Sequence, residues 1–301
     1  MTATTTLRVG TRGSRLALVQ AEIAARALAP LIGAISLITV ITRGDEISAR
    51  QARGAWVATD GQFTRELERA LLDGEVDLVV HSYKDLPTEP QDALVIGAVL
   101  ERADPRDCLL TRDGGGIDDL PFGARIGTSS PRRAAQLAAS RSDLIAMPIR
   151  GNVETRLRRL RAGDYDGLLL AAAGLDRLGV EVPDAARLSL ELMLPAPAQG
   201  ALALQARADD GGLRDVLRTV DHAPTRIAVE AERRLLRRLG GGCLAPLGAL
   251  AEVDQDRLRL RAAFEGPSGA HVRAEATGAA DDAESVINEV AAAIDRALAA
   301  A

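Results

Sequence analysis

Val76-Asp77-Leu78-Val79-Val80-His81-Ser82-Tyr83-Lys84-Asp85-Leu86-Pro87 is the stretch on which the fold turns. Val76–His81 is an apolar, β-branched run of strand length, and it feeds a polar turn that Pro87 closes. Working outward, Leu94–Val99 reads as a further strand. Toward the amino terminus, Leu7–Gly10 reads as a strand ending in Thr11-Arg12-Gly13-Ser14. Ser14 can cap a helix over Arg15–Ala29 that Pro30 ends. Ile35–Ile41 reads as a buried strand, residues 42–62 as a Gly/Ala-rich loop, and Thr64–Leu72 as a helix stopping near Gly74. Strands alternating with helices across short turns predict a parallel, doubly wound sheet, whose ligands bind beyond the carboxyl ends of the strands.

The charged segment Glu101–Asp107, with Pro105 inside it, reads as a hinge, and the alternation then restarts. Strands are expected at Arg125–Gly127, Leu144–Met147 and Gly167–Ala171, and helices at Ser130–Ser140 and Asn152–Ala162. Two similar α/β lobes around a cleft follow from this repeat. Beyond Pro195-Ala196-Pro197-Ala198-Gln199-Gly200 the pattern changes. Helices at Gly212–Val220 and Pro224–Leu239 precede alternating strands at Gly248–Val253, Arg257–Phe264 and His271–Thr277, with an Ala-rich helix over 283–300 last. That order predicts a C-terminal α+β domain with a small antiparallel sheet.

The 301 residues carry a net charge of -5, and only 2% are aromatic. These values argue against a general nucleic-acid surface or a stacking platform for single strands. No apolar run approaches the roughly 20 residues of a membrane span, and the Thr-rich start lacks a signal peptide's apolar stretch. Cys108 and Cys243 stand far apart in unlike contexts, so a cytoplasmic location is expected rather than a disulfide framework. Lys84 is the only lysine in a chain whose other basic residues are all arginine. A lysine kept under such a bias points to a task that a guanidinium would not perform.

Between Arg125 and Arg161 stand nine arginines against two acids, Asp143 and Glu154. Arg158, Arg159 and Arg161 read as a solvated helix face. Arg132 and Arg133 differ, because they follow Gly127-Thr128-Ser129-Ser130-Pro131 at the start of a helix, where backbone N–H groups, hydroxyls and the helix dipole favour an anion. Arg150 stands just before the cap Asn152, and Arg156 follows in the next helix. Guanidinium groups bind carboxylate and phosphate alike, so chemistry alone leaves both open. Lys84-Asp85 at a strand end offers an ammonium for an anionic substrate group and a carboxylate for a developing cation. Cys243, on the turn Gly240-Gly241-Gly242-Cys243-Leu244-Ala245-Pro246, is placed for exposure as a nucleophile or attachment point, whereas Cys108 reads as a small buried hydrophobe. His81 reads as a support residue, and no spacing matches a zinc site or a P-loop.

Taken in order, these stretches resemble the porphobilinogen deaminase (hydroxymethylbilane synthase) family. The resemblance rests on Thr11–Ser14, Thr42-Arg43-Gly44-Asp45, His81–Pro87, Asp104-Pro105-Arg106-Asp107, Gly127–Arg133, Arg150-Gly151-Asn152-Val153, Ala173–Gly179, Gln199-Gly200-Ala201 and Gly241-Gly242-Cys243. It implies an enzyme that deaminates four porphobilinogen molecules and joins them head to tail into hydroxymethylbilane. A dipyrromethane cofactor, thioether-linked at the position of Cys243, would prime the growing chain. Asp85 matches the catalytic aspartate that stabilises cationic, azafulvene-like intermediates. Lys84, Ser130, Arg132 and Arg133, with Thr128 and Ser129 beside them, match the positions that hold the cofactor's acetate and propionate groups. Arg12, Ser14, Arg150, Arg156, Arg177 and Gln199 match the substrate side. The resemblance decides for carboxylate over phosphate and implies a monomer with no nucleic-acid or membrane partner.

The expected fold is therefore α/β, with two doubly wound, periplasmic-binding-protein-like lobes and the C-terminal α+β domain. Residues 1–100 with 200–219 would form the first lobe, 101–199 the second with the hinges, and 220–301 the domain carrying the cofactor cysteine. Two departures stand out from the family pattern. The loop Asp45–Gly61 offers Arg50 and Arg53 but has Asp60 near a usual lysine, and Ala198 replaces a common glycine before Gln199-Gly200. A non-catalytic solute-binding protein and a family member inactivated through the altered loop are the rival readings.

Overall fold

The structure, a computed structural model, describes residues 6–40, 62–89, 91–241 and 245–300. Its elements follow the expected alternation through β1 (Leu7–Thr11), α1 (Arg15–Leu28), β2 (Ile35–Thr39), α2 (Gln62–Leu72), β3 (Leu78–Ser82) and β4 (Leu94–Val99). Then come β5 (Asp107–Thr111), β6 (Arg125–Gly127), α3 (Pro131–Ser140), β7 (Ile145–Met147), α4 (Val153–Arg161), β8 (Gly167–Ala171) and α5 (Ala172–Arg177). The chain continues through β9 (Leu202–Arg207), α6 (Gly211–Val220) and α7 (Ala223–Arg238), and closes with β10 (Leu247–Asp254), β11 (Arg257–Glu265), β12 (His271–Ala279) and α8 (Ala283–Ala299). The chain divides into two compact units, Met1–Arg102 with Ala201–Arg226, and Ala103–Gly200 with Ile227–Ala301.

The first unit holds a sheet in the order β2-β1-β3-β9-β4. Its face toward α1 and α6 buries Val9, Leu78, Val80 and Leu204 with Leu28 and Leu217, and its other face packs Val79 with Leu67, Leu71 and Val76. Helices on both faces explain why the β3 sequence reads as continuous rather than alternating apolar residues. The sheet is not wholly parallel, however. β9 lies antiparallel to both β3 and β4, which corrects the parallel expectation. Leu202-Ala203-Leu204-Gln205-Ala206-Arg207 has no β-branched or aromatic residue, so propensity gives no strand signal there, and burial on both sides makes it a central strand.

The second unit repeats this plan with the order β5-β8-β6-β7, again with one antiparallel member, β5 against β8. The predicted hinge ends where β5 begins, so Asp107 is the first residue of a buried strand. Side-chain alternation divides β8: Leu169 packs with Ile126 and Leu137 on one face, while Leu168 and Leu170 pack with Ile149 and Leu160 on the other. Gly127 allows that packing, since a Cβ there would lie 2.5 Å from Leu168 Cδ2.

In the same unit β10, β11 and β12 form the expected antiparallel meander. Val286, Ile287, Val290, Ala291 and Ile294 of α8 recur at helical spacing and cover Ala249, Ala251, Leu258 and Leu260. The meander is tied to the segment before Gly200 by the Ala249 N–H, which donates to Pro195 O at 2.9 Å. Glu232 of α7 is fully buried and accepts from the N–H groups of both Ala198 (2.6 Å) and Ala251 (2.7 Å).

Candidate active site

The first unit gathers four of the expected residues at one sheet edge. β1 and β3 are parallel neighbours, with Val9 opposite Leu78 and Gly10 opposite Val79, so their carboxyl ends emerge together. Beyond β1 come Arg12 and Ser14. The Ser14 hydroxyl accepts from the Ala17 N–H at 3.3 Å and starts α1 as expected, while Arg12 is half-buried. Beyond β3 the chain makes a short 3₁₀ turn, Tyr83–Asp85. Tyr83 is buried and its N–H donates to Ala201 O, which fixes the turn to the start of β9. Gln20 Nε2 donates to Ser82 Oγ at 2.8 Å and ties the same turn to α1. Lys84 is half-buried, whereas Asp85 is exposed and makes no hydrogen bond or ion pair among the described residues. A fixed turn thus presents a carboxylate with its lone pairs open.

Behind this turn runs a buried polar chain across the sheet. Gln91 Nε2 and Gln205 Nε2 donate to the two oxygens of Glu68, at 2.9 and 3.2 Å. Gln205 Oε1 therefore faces His81 at 2.9 Å, and that contact assigns the imidazole proton to Nε2. Burial pushes His81 down to about 4, against the smaller upward pull of its bond to Gln205. Burial likewise raises the Glu68 carboxyl, outweighing the amide hydrogen bonds and Arg65 that lower it. His81 is a neutral hydrogen-bonded support, in keeping with its sequence reading.

In the second unit the carboxyl ends of β6, β7 and β8 line one edge, as their parallel register requires. Thr128, Ser129 and Ser130 follow β6, Arg150 follows β7, and α5 after β8 ends in Arg177. Thr128 is buried and its hydroxyl accepts from the Ser130 N–H at 3.1 Å. Ser129 Oγ donates to Ile149 O (2.7 Å) and accepts from the Ile149 N–H (3.0 Å), so it joins the ends of β6 and β7. Ser130 caps α3, its hydroxyl accepting from the Arg133 N–H at 3.4 Å. Arg150 is exposed, and Arg156 Nε donates to Gly151 O at 2.8 Å. Arg177 donates to Gly200 O at 2.7 Å, and burial pushes its guanidinium down to about 10 despite the opposing charge of Asp176.

Arg132 and Arg133 sit where the motif placed them, in the first turn of α3, but both are buried, with 3% and 7% of their surface exposed. Their common partner is Asp107, which is fully buried. Arg132 Nη1 donates to Asp107 Oδ2 at 2.7 Å, and Arg133 donates to Oδ1 through Nε (3.1 Å) and Nη2 (2.6 Å). Gln199, also fully buried, adds a fourth bond from Nε2 to Oδ1 at 3.0 Å and another to Pro105 O at 2.8 Å. Burial alone would raise the Asp107 carboxyl, but the two guanidinium groups together hold it far below the usual carboxylate range. Two cations and one anion leave the cluster with one positive charge in excess, next to the positive end of a helix dipole. Charge of that sign in a buried setting calls for an anionic ligand.

Asp107 is the residue that sequence reasoning missed. Its signal was an acid that closes the expected hinge and opens the apolar run Cys108-Leu109-Leu110. Cys108 itself is fully buried, and desolvation pushes its thiol up to about 11, as a packing role requires. Cys243, like Arg50, Arg53 and Asp60, lies outside the described residues. Ala198, in place of the usual glycine, adopts φ 62, the left-handed region that favours glycine.

Comparison with known proteins bears on both units. Residues 7–215 match the family model described as porphobilinogen deaminase, dipyromethane cofactor binding domain, and residues 226–295 match that of the porphobilinogen deaminase C-terminal domain. The porphobilinogen deaminase of Desulforudis audaxviator is 49% identical over 286 residues, covering 94% of this chain and 92% of its own. That of Xanthomonas oryzae pv. oryzae is 45% identical over 290 residues, 95% of each chain. That of Thermobifida fusca is 49% identical over 282 residues, 91% of this chain and 86% of its own. Among solved structures, a putative methionine-binding lipoprotein of Bacillus subtilis overlaps at a TM-score of 0.44 and 14% identity, over 71% of this chain and 89% of its own, too loosely to bear on function. With both domains matched and near-half identity along almost the whole length, the chain belongs to the porphobilinogen deaminase family.

Proposed function

We propose that this chain is a hydroxymethylbilane synthase, deaminating four porphobilinogen molecules and joining them head to tail on a covalent dipyrromethane. The observation that carries the reading is the family match over residues 7–215 and 226–295 together. The residues of the second unit fit the cofactor's chemistry. Among the described residues the Asp107–Arg132–Arg133 cluster has one uncompensated buried cation, and Arg132 Nε has no hydrogen-bond partner. When bound, dipyrromethane supplies acetate and propionate carboxylates and the free pyrrole carbon from which the product is extended.

We assign its attachment to Cys243 and its carboxylates to Lys84 and to the Thr128–Arg133 segment. Asp85 then accepts hydrogen bonds from pyrrole N–H groups of the substrate, and its charge stabilises the cation left when the C–N bond breaks and ammonia departs. An exposed, unengaged carboxylate suits that task, because nothing among the described residues of its own unit competes for its oxygens. Arg12, Ser14, Arg150, Arg156 and Arg177 receive the substrate's carboxylates, and Gln199 acts through Asp107 rather than by contact. We further read the chain as a cytoplasmic monomer without nucleic-acid partners. Its net charge of -5 and 2% aromatic content support the reading without nucleic acid, and the family resemblance supports the monomer; no helix among the described residues is long and apolar enough to cross a membrane.

Intact-mass measurement on chain purified from a porphobilinogen-making host tests the reading. One dipyrromethane adduct, lost in Cys243→Ser, is expected together with ammonia release from added porphobilinogen. A bare wild-type chain, or one that binds porphobilinogen without releasing ammonia, would overturn it.

A further inference from the structure

Two side chains govern the path of the chain from β7 to Arg150. The last main-chain bond between β6 and β7 runs from the Thr128 N–H to Met147 O at 2.8 Å. Beyond it the Ser129 hydroxyl takes over. Its Oγ donates to Ile149 O at 2.7 Å and accepts from the Ile149 N–H at 3.0 Å, so one hydroxyl serves both polar groups of the residue before Arg150. The Tyr165 hydroxyl, from the segment that leads into β8, donates to Pro148 O at 2.9 Å. A hydroxyl carries a single proton, and each of these two protons is committed to a main-chain oxygen. Ser129 therefore has no donor left for a carboxylate, exposed though it is.

Tyr165 is itself held. It is buried in the cluster that contains Ile149, Leu160 and Leu168, and its ring centre lies 4.9 Å from the Arg159 guanidinium. Gly127 leaves room for that ring, since a Cβ there would lie 3.1 Å from Tyr165 Cδ1. After Arg150 the chain is fixed again: Gly151 O accepts from Arg156 Nε at 2.8 Å, and the Asn152 side chain caps α4. Arg150 is exposed, yet the residues on both sides of it are anchored.

We propose that Tyr165 and Ser129 are positioning residues for Arg150: their hydroxyls fix the main chain at Pro148 and Ile149 and so hold the base from which the guanidinium meets a substrate carboxylate. This rests on the assignment of Arg150 to the substrate side. It gives Tyr165 a part in the reaction and moves Ser129 from cofactor contact to support. A guanidinium on a fixed backbone loses less freedom on binding than one on a loose loop. The clamp therefore acts on substrate binding rather than on the chemical step.

The test compares wild type, Tyr165→Phe, Ser129→Ala and Ser129→Thr by ammonia release over a range of porphobilinogen concentrations, by intact mass, by thermal melting and by amide hydrogen exchange. Tyr165→Phe removes one oxygen and keeps the buried ring. It should melt within about 4 °C of wild type, because Pro148 is exposed and water can replace the lost donor. KM for porphobilinogen should rise about fivefold in Tyr165→Phe and about tenfold in Ser129→Ala, with kcat within about twofold of wild type. Ser129→Thr keeps the hydroxyl and should return KM to within about twofold. Exchange over residues 148–152 should quicken about fivefold or more in Tyr165→Phe and Ser129→Ala, with β8 and the β10–β12 meander unchanged. An unchanged KM, a fall in kcat alone, unchanged exchange, no recovery with threonine, or a Tyr165→Phe chain that does not fold would each overturn the proposal. So would a Ser129→Ala chain left bare beside loaded wild type, since Ser129 would then be a cofactor contact. Should Ser129→Ala not fold, Tyr165→Phe decides alone. If wild type releases no ammonia, the proposed function fails separately and exchange decides the clamp: quickening confined to residues 148–152 upholds it, and no change overturns it.

Discussion

His81→Gln should make the first unit less sensitive to acid, by an amount the structure sets. Burial holds His81 at about 4, against an ordinary value of 6.5. The unfolded chain therefore takes up this proton first as pH falls, and the folded chain resists it. Stability linked to His81 is whole above pH 6.5 and is lost as pH drops toward 4, at about 1.4 kcal/mol per unit in the steep part. Those two values give a loss of about 2 kcal/mol between pH 7 and pH 5 and about 3 kcal/mol by pH 4. Glu68 acts oppositely, since its raised carboxyl binds a proton more readily folded than unfolded, but it is present in both proteins and cancels in their difference. Glutamine can still donate to Gln205 Oε1 and does not titrate. Urea unfolding of wild type and His81→Gln at pH 7, 6 and 5 reads the effect as a narrowing stability difference. A difference that stays constant across that range would refute the neutral, buried histidine and the network that orients it.

Asp85→Asn should lower turnover about 100-fold or more, measured as ammonia release, while thermal stability stays within about 0.5 kcal/mol, because the side chain is exposed and touches no described partner. Near-normal turnover would remove Asp85 from the chemistry. Ala198→Gly should raise stability by about 0.5–1 kcal/mol in urea unfolding: relief of the left-handed backbone at φ 62 is partly offset by the looser unfolded chain. A destabilised variant would mean that the methyl group's packing outweighs the strain.

How much of this was legible beforehand depends on the range of the interaction involved. Strand β3 and the turn after it could be read directly, because a β-branched run followed by Ser82–Pro87 has only one economical local structure. The helix starts at Ser14, Ser130 and Asn152 were equally legible, since each cap bonds an N–H three residues on. β9 was not legible: alanine and leucine suit a helix as well as a strand, and only two flanking strands make that segment extended. β5 was not legible for the same reason: only its first residue falls in the expected hinge, and its ladder partner β8 lies about sixty residues away.

The arginine-bearing edge of the second unit divides along the same line. Spacing alone determined that Thr128, Ser129, Ser130, Arg132 and Arg133 gather where a strand gives way to a helix, and composition alone singled out Lys84. Which donors of those two arginines are already engaged was decided only in three dimensions. The answer depends on Asp107, brought beneath α3 by β5, and on Leu169 O and Leu194 O, each supplied by a segment remote in sequence. A guanidinium's chemistry is local, but the acceptors that consume its donors are not, and their positions exist only once the core has formed.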